Sequence, residues 1–225
     1  MSGFSIAIDG PGGAGKSTIA QMLASELGFS YIDTGAMYRA VALFCILKEI
    51  PYIQSAVEQR LEDLSISIRY VNGEQRIILC GEDVSEAIRT PHVSEGSSKV
   101  AVFPKVREKL VAIQRQLALD SNVIVDGRDI GTYVLPSADV KIYLDASVEQ
   151  RARRRQEELR TRGMEAEFEQ IKAEIIERDH RDSNRKFAPL RCADDAIVVD
   201  TEDMSLEEVK NSLIGIILEA NQGDR

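Results

Sequence analysis

Five short apolar segments recur along the chain, and none shows the regular polar interruptions of a half-exposed strand. They cover residues 4–9, 29–33, 122–126, 140–145 and 196–200, and each ends in an aspartate. Uninterrupted apolar runs of this length are typical of parallel strands that are covered on both faces. The pattern therefore predicts five strands of one parallel sheet.

Between these segments the apolar residues change to a helical spacing of three and four. The first stripe consists of Ile19, Met22, Leu23 and Leu27, and the second, which Pro104 opens, consists of Val106, Leu110, Ile113 and Leu117. Gly28 ends the first stripe, as glycine commonly ends helices. Two further helix starts are predicted by capping-box spacings, at Ser147 with Gln150 and at Ser205 with Glu208. Strands that alternate with helices predict a doubly wound α/β fold.

One stretch departs from this alternation and predicts an antiparallel hairpin. Apolar and polar residues alternate over residues 66–70, and a second apolar run covers residues 76–79. The pair Asn72-Gly73 between them is the strongest short-range hairpin signal. We therefore expect an antiparallel insert over residues 62–90. It is interpreted as an added substrate lid, with a tolerated surface insertion as the alternative.

Composition and charge narrow the class of protein. The chain has 225 residues, is 44% hydrophobic and carries a net charge of −9, which disfavours binding to nucleic acid or to an anionic membrane. It has no apolar run of transmembrane length and no secretory signal pattern. Cys45, Cys80 and Cys192 are widely spaced, which suits a reducing cytoplasm. His92 and His180 are too far apart to predict a histidine metal cluster.

The strongest chemical signal lies in residues 8–18, which read IDGPGGAGKST and contain the pattern G-x-x-x-x-G-K-[ST]. The pattern lies between a predicted strand and a predicted helix, as a phosphate-binding loop requires. Glycines let backbone amides turn inward and let phosphate oxygens approach closely. Lys16 is then expected to reach the β and γ phosphates of a triphosphate, and Ser17 to bind Mg²⁺. A glycine-rich turn with a structural role only is the alternative.

Polar residues follow two predicted strands at their carboxyl ends, where ligands of open α/β sheets bind. The sequence DTGAMYR occupies residues 33–39, and DGRD occupies residues 126–129. This placement predicts that Arg39 and Arg128 lie near the phosphate loop. A solvated surface position is the alternative for each arginine.

A helix predicted over residues 165–184 changes character along one face. Its apolar stripe of Phe168, Ile171 and Ile175 continues, at the same steps, into Arg178, Asp182 and Arg185. Because burying unpaired charge is costly, this end of the helix is expected to face a polar cleft. The alternative is that the helix emerges into solvent.

A third group of arginines lies on the preceding predicted helix and consists of Arg151, Arg153, Arg154, Arg155, Arg160 and Arg162. Arg151, Arg154 and Arg155 share a face. A mobile helix of this kind could close over phosphates and neutralise transition-state charge. A solvated charged helix is the alternative.

Together these features indicate phosphoryl transfer between two anionic molecules. Arginine is suited to the task because its planar fork binds phosphate bidentately and stays charged. An alcohol acceptor would require a carboxylate base, whereas a phosphate monoester arrives largely ionised because its second pKa is about 6. The abundance of arginine therefore favours a nucleoside monophosphate as the acceptor over a sugar.

Five motifs together resemble those of bacterial cytidylate kinases, in this order and at these separations: IDGPGGAGKST, IDTGAMYRA, FPKVRE, VDGRDIGT and RDHRDSNRKFAPL. The resemblance covers essentially the whole chain. It implies a three-layer P-loop nucleoside monophosphate kinase fold, with a central parallel five-stranded sheet and a small antiparallel insert. It further implies a single kinase domain over residues 1–225, with the insert at 62–90 and an arginine-rich lid at 148–163.

The resemblance also implies roles for individual residues. The donor ATP would be bound by Gly10, Gly12, Gly13, Ala14, Gly15, Lys16, Ser17, Thr18, Arg151 and Arg154, and the metal by Ser17. The acceptor phosphate would be held by Arg39, Arg128 and Arg185, the cytosine edge by Ser98, Arg107 and Asp129, and the sugar hydroxyls by Arg178 and Asp182. Thr34 is also assigned to the CMP site and occupies a place where some members carry serine. The catalytic residues would be Lys16, Arg128, Arg154 and Arg185.

The implied activity is Mg²⁺-dependent transfer of the γ-phosphoryl group of ATP to CMP or dCMP, which yields the diphosphate and ADP in pyrimidine nucleotide metabolism. We expect a monomeric cytoplasmic enzyme that binds neither nucleic acid nor a membrane. The alternatives are a P-loop kinase for another acceptor, such as UMP, and a nucleotide-dependent switch ATPase. A GTP switch is disfavoured because the sequence lacks an Asn-Lys-x-Asp element.

Overall fold

A computed structural model describes residues 3–71, 73–119, 121–161 and 163–223. The chain divides into two compact units, of which the first comprises residues 1–30 and 121–225 and the second comprises residues 31–120. Within the described residues no helix is both long enough and apolar enough to cross a bilayer.

Within the described residues, eight strands form two sheets. The strands are β1 (Ser5–Asp9), β2 (Ser30–Asp33), β3 (Ile66–Val71), β4 (Glu74–Leu79), β5 (Glu82–Asp83), β6 (Val123–Asp126), β7 (Val140–Asp145) and β8 (Ile197–Asp200). The larger sheet has the order β2-β6-β1-β7-β8 and the smaller the order β3-β4-β5. This confirms the predicted five-stranded parallel sheet and the small antiparallel one.

Helices lie in the intervals between the strands, and the sequence pattern predicted those that begin near residues 16, 104, 148, 165 and 206. They are α1 (Lys16–Leu27), α2 (Thr34–Leu47), α3 (Gln54–Glu58), α4 (Pro91–Val100), α5 (Pro104–Leu119), α6 (Val148–Thr161), α7 (Phe168–Asn184) and α8 (Leu206–Gly223). A turn of π-helix, Ile130–Val134, follows β6. The helix predicted from residue 165 begins at Phe168 instead.

The core of the first unit is built around β1, which pairs in parallel with β6 on one side and β7 on the other. Ile6 lies opposite both Ile124 and Val140 in these pairings. All three side chains are at least 95% buried, in keeping with a strand covered on both faces. The prediction of complete coverage is wrong for the edge strand β8, where Val198 is 61% exposed.

In the second unit β3 and β4 form an antiparallel pair whose register joins Ile66 to Leu79 and Val71 to Glu74. The register leaves two residues between the strands, as the Asn72-Gly73 signal predicts, although Asn72 itself lies outside the described residues. The apolar stripe predicted for α5 is correct only at its start. Its later members Ile113 and Leu117 are half-exposed, and Gln114 and Ala118 are buried instead.

The two predicted capping boxes form to different extents. At the start of α8 the Ser205 amide donates to Glu208 at 2.8 Å and the Glu208 amide donates to the Ser205 hydroxyl at 3.3 Å. At the start of α6 the Gln150 amide donates to the Ser147 hydroxyl at 3.1 Å, but the Ser147 amide donates to Glu202 at 2.8 Å. The carboxylate of Glu202, which is distant in sequence, therefore accepts the hydrogen bond that the Gln150 side chain was expected to accept.

Candidate functional site

The glycine-rich loop connects β1 to α1 in the conformation that its composition predicts. Gly13 and Gly15 have φ values of 82° and 90°, a region that side chains disfavour. A Cβ at Gly13 would lie 3.1 Å from the Cβ of Arg151, so glycine is also required by packing. The loop contains Gly10, Gly12, Gly13, Ala14 and Gly15, and the first turn of α1 contains Lys16, Ser17 and Thr18. Their amides lie at a helix N-terminus, which favours an anion.

Lys16 is buried beneath this loop and surrounded by charge. Its ammonium donates to the carbonyl oxygen of Pro11 at 2.7 Å. Burial lowers the pKa of Lys16 well below its usual value, and the Arg128 and Arg178 guanidinium groups lower it further, while the Asp126 and Asp9 carboxylates act in the opposite direction. Cations that disfavour one another in this way are stabilised when an anion binds among them.

Two of the predicted acceptor arginines face the phosphate loop. A Cβ at Gly12 would lie 3.4 Å from Nη2 of Arg128 and 3.8 Å from Cδ of Arg178. Arg128 donates from Nε to Asp182 at 3.1 Å, and Arg178 lies 4.0 Å from the same carboxylate oxygen. Although burial acts to raise it, the pKa of Asp182 is lowered by Arg128, Arg178 and Arg185. The charged end of α7 therefore lies beside the glycine loop.

Arg185 and Asp129 form a buried ion pair in the same unit. The Arg185 Nη2 to Asp129 Oδ1 distance is 2.9 Å, and the two side chains are 5% and 6% exposed. Arg185 also donates from Nε to the Ala188 carbonyl oxygen at 2.6 Å. Arg185 directly follows α7 and Asp129 directly precedes the π-helical turn, so the pair joins two segments that each carry predicted site residues.

A hydroxyl and a carboxylate meet at the start of α1. Ser17 donates from its hydroxyl to Asp126 at 2.7 Å, and Asp126 is buried at the end of β6. A second aspartate, Asp33, ends β2. Asp33 caps α2 by accepting from the Ala36 amide and pairs with Arg39 at 2.8 Å.

The hard oxygens of Ser17 and Asp126 suit Mg²⁺, which usually takes one or two protein ligands besides water and phosphate oxygens. The described residues contain no group of three or more histidine, cysteine or acidic side chains arranged to hold a metal without substrate. The donor set therefore fits a magnesium ion that binds together with a nucleotide.

Arg151 and Arg154 of α6 form hydrogen bonds with the rest of the protein. Arg151 donates to the carbonyl oxygens of Ala146 and Gly12, each at 3.0 Å, and lies 2.7 Å from Asp179. Arg154 donates to the Thr201 hydroxyl at 3.0 Å and to the Thr201 carbonyl oxygen. The Arg151 side chain thus contacts a backbone carbonyl oxygen of the phosphate loop. The assignment of both arginines to the donor phosphates stays a prediction, and Arg162 lies outside the described residues.

The second unit carries the other residues assigned to CMP. Thr34 is buried at the first position of α2, and Ser98 is half-buried on α4. Arg107 on α5 is only 1% exposed and lies over the Tyr38 ring at 5.6 Å. Within the part of the chain that the structure describes, Nε of Arg39 is buried and has no hydrogen-bond partner. The roles of these four residues stay predictions.

Sequence reasoning missed Asp9, the last residue of β1. Its carboxylate accepts from the amides of Ile130 and Gly131 at 2.8 and 2.7 Å. Burial raises the pKa of Asp9 to about 6, and the neighbouring Asp129 carboxylate acts in the same direction. An aspartate before a glycine loop carries no recognisable spacing signal, because its partners lie 121 and 122 residues away.

Comparison with known proteins places this chain in a family. A sequence model described as "Cytidylate kinase" matches residues 6–219. The cytidylate kinase of Caldicellulosiruptor bescii is 49% identical over 215 residues, which cover 95% of each chain. The cytidylate kinase of Thermotoga maritima is 45% identical over 219 residues, which cover 96% of this chain and 98% of that protein.

Among solved structures, a gluconokinase from Sinorhizobium meliloti 1021 aligns with a TM-score of 0.50 at 12% identity, over 98% of this chain and 94% of that chain. This likeness concerns the fold alone. The sequence relatives and the matched family model identify the lineage: the chain belongs to the cytidylate kinase family.

Proposed function

We propose that this protein transfers the γ-phosphoryl group of ATP to CMP, and to dCMP, giving CDP or dCDP and ADP. One observation carries the proposal: Lys16, Arg128 and Arg178 converge on the glycine loop, where Lys16 is destabilised in its charged form by both arginines. Such a cluster of cations favours the binding of an anion. Membership of the cytidylate kinase family supports CMP as the second anion.

The donor phosphates would bind in the glycine loop. The inward-facing amides after β1 and the first turn of α1 would hold them through hydrogen bonds, and Lys16 would exchange its contact with the Pro11 carbonyl oxygen for one with the β and γ phosphates. Exchange of a neutral acceptor for a charged one strengthens the hydrogen bond. Lys16 would thereby stabilise the charge that develops on transfer.

Ser17 and Asp126 would hold Mg²⁺, Ser17 directly and Asp126 directly or through water. Bound there, Mg²⁺ would supply charge neutralisation for the donor phosphates. Asp126 is preferred over Asp33 in this role because Asp33 is already committed to Arg39 and to the start of α2.

The acceptor would be held through its phosphate and its nucleoside. Arg128 and Arg185 would hold the phosphate, with Arg39 of the second unit as a third contact. Arg178 and Asp182 would bind the sugar hydroxyls, and Asp129 would accept from the cytosine amino group. Thr34 is also proposed to bind CMP, and Ser98 and Arg107 to bind its base.

The chemical step needs no carboxylate base. An oxygen of the CMP phosphate forms the new bond to the γ phosphorus as the bond to the oxygen bridging the β and γ phosphates breaks, and ADP leaves with that electron pair. The attacking oxygen is already ionised near neutral pH, because the second pKa of a phosphate monoester is about 6. The protein contributes alignment and charge stabilisation, for which Arg128, Arg185 and the lid residue Arg154 are proposed.

The proposed setting is a monomer in the cytoplasm, with a lid at residues 148–163 and an insert at 62–90 within one kinase domain. The thiols of Cys45, Cys80 and Cys192 are free, which supports a reducing compartment. Size-exclusion chromatography with light scattering tests the monomer, for which the expected mass is 25.0 kDa.

The activity is tested by steady-state kinetics with ATP and Mg²⁺ against CMP, dCMP, UMP, AMP, GMP and simple alcohols. We expect kcat/KM to be highest for the cytidine nucleotides. Lys16→Ala should abolish turnover, whereas Lys210→Ala, which removes a lysine of α8 that pairs with Glu26 near the far end of α1, should leave it unchanged. A preference for another acceptor, or slow ATP hydrolysis that no monophosphate alters, would contradict the proposal.

A further inference from the structure

The carboxylate of Asp9 connects the central strand to the segment that carries two predicted acceptor residues. Asp9 closes β1 and is 4% exposed. One of its oxygens accepts from the Ile130 amide at 2.8 Å and the other from the Gly131 amide at 2.7 Å. Two successive backbone amides are therefore held by a single charged group.

These amides directly follow the residues assigned to the acceptor. Arg128 faces the glycine loop, and Asp129 forms the buried ion pair with Arg185. Asp129 has the unusual backbone angles φ −147° and ψ 28°, and a π-helical turn begins at the next residue. Turns of this kind are uncommon and are frequently found at functional sites. The conformation needs support from outside the segment, and Asp9 supplies two hydrogen bonds.

We infer that Asp9 is a positioning residue for the acceptor half of the site: its carboxylate fixes the backbone that presents Arg128 and Asp129. This inference rests on the proposed function. Asp9 acts through the backbone amides of Ile130 and Gly131, and no direct contact with the reacting atoms is assigned to it. The carboxylate is well suited to the task, because an ionised acceptor binds amides about twice as strongly as a neutral one.

The side chain at this position must accept at both oxygens. In Asp9→Asn one oxygen would become an amide group, which would point its N–H donors at a backbone N–H. One hydrogen bond to a charged acceptor would be lost and two donors would repel each other, while size and shape stay nearly the same. A loss of this kind corresponds to about a tenfold or greater effect on the binding that it supports.

The test compares Asp9→Asn with Asp139→Asn in the full-length protein. Asp139 accepts from the Ser5 amide at 2.6 Å and so anchors the opposite end of the same strand. We expect Asp9→Asn to raise KM for CMP at least tenfold and to lower kcat, with KM for ATP changed less than twofold. Asp139→Asn should keep all three parameters near those of the unmodified protein.

A second variant covers the case in which Asp9→Asn does not fold. A Cβ at Gly131 would lie 3.4 Å from Oδ2 of Asp9 and 3.1 Å from Cδ of Lys141. Gly131→Ala would place a methyl group in contact with that carboxylate and crowd the Lys141 side chain, so it should disturb the anchored backbone and raise KM for CMP severalfold. Gly215→Ala, whose Cβ would meet nothing within 4 Å, is the matched control.

NMR of the backbone amides separates failure of this inference from failure of the proposed function. If the unmodified protein does not phosphorylate CMP, the function is wrong, but downfield Ile130 and Gly131 amide signals that move upfield in Asp9→Asn would still support the anchor. The inference is overturned if those signals are unchanged in the variant. It is also overturned if KM for ATP rises as much as KM for CMP, since Asp9 would then act on the glycine loop.

Discussion

Replacing Arg185 with alanine would remove one half of a buried ion pair and one proposed contact to the acceptor phosphate. The Asp129 carboxylate would keep its place, 6% exposed and without the guanidinium that now lies 2.9 Å away. The hydrogen bond from Arg185 to the Ala188 carbonyl oxygen would also be lost. The variant therefore perturbs stability and acceptor use together, and the two effects must be measured separately.

The cost to stability follows from the burial of the pair. Removing one partner of a buried ion pair costs about 3–5 kcal/mol, because the remaining charge is left uncompensated. Domains unfold with about 5–15 kcal/mol, so the variant should still fold at 25 °C with a clearly lowered Tm. The loss of a charged contact to the acceptor phosphate should lower kcat/KM for CMP about 10- to 100-fold.

Urea unfolding and steady-state kinetics of three variants measure these effects. Arg185→Ala should lose stability and CMP turnover while its Kd for ATP stays within about threefold, below the effect of a single hydrogen bond. The double variant R185A/D129A should recover part of the lost stability, because no charge is left buried, and should still use CMP poorly. Arg185→Lys should be intermediate in turnover, since an ammonium group lacks the planar fork.

The result that would refute this reasoning is normal CMP kinetics in Arg185→Ala at a temperature where the variant is folded. Arg185 would then be a structural residue that ties α7 to the segment after β6. Equal stability of Arg185→Ala and the double variant would contradict the second part, namely that the Asp129 charge is the origin of the destabilisation.

Three further variants test other parts of the site. Ser17→Ala should weaken the binding of Mg²⁺, raising the half-saturating Mg²⁺ concentration severalfold in a titration at fixed ATP. Arg39→Ala should raise KM for CMP. An unchanged KM would indicate that Arg39 has only a structural role, as the partner of Asp33 in an ion pair. Because neighbouring arginines lower the pKa of Asp182, its stabilising effect is present above the unfolded pKa of about 4 and is lost as pH falls through the lower folded value. Asp182→Asn should therefore lower Tm more at pH 7 than at pH 3, and equal differences at both pH values would contradict the assignment.

The larger sheet could be read from the sequence because its signal is local. Each of its strands is a short apolar run that ends in aspartate, and four of the five begin one residue later than predicted. The glycine loop could be predicted equally well, since its glycines are favoured by backbone conformation and close packing. The charged end of α7 was predicted from helical steps alone. Arg178 does lie beside the loop residue Gly12, and Asp182 pairs with Arg128.

What the sequence could not provide were contacts made by residues distant along the chain. Asp9 accepts from amides more than a hundred residues away, and the Ser147 amide donates to Glu202 rather than to the expected Gln150 side chain. Arg107 is almost fully buried on a helix whose apolar stripe gave no indication of a charged side chain inside. Such contacts depend on how strands and helices come together, which propensity and spacing do not encode.

Calorimetric titration of CMP into the protein, alone and with a non-hydrolysable ATP analogue and Mg²⁺, tests the central claim most directly. We predict saturable one-site binding of CMP, with UMP, AMP and GMP bound at least tenfold more weakly. The absence of CMP binding in both conditions, or equal affinity for all four monophosphates, would contradict the account.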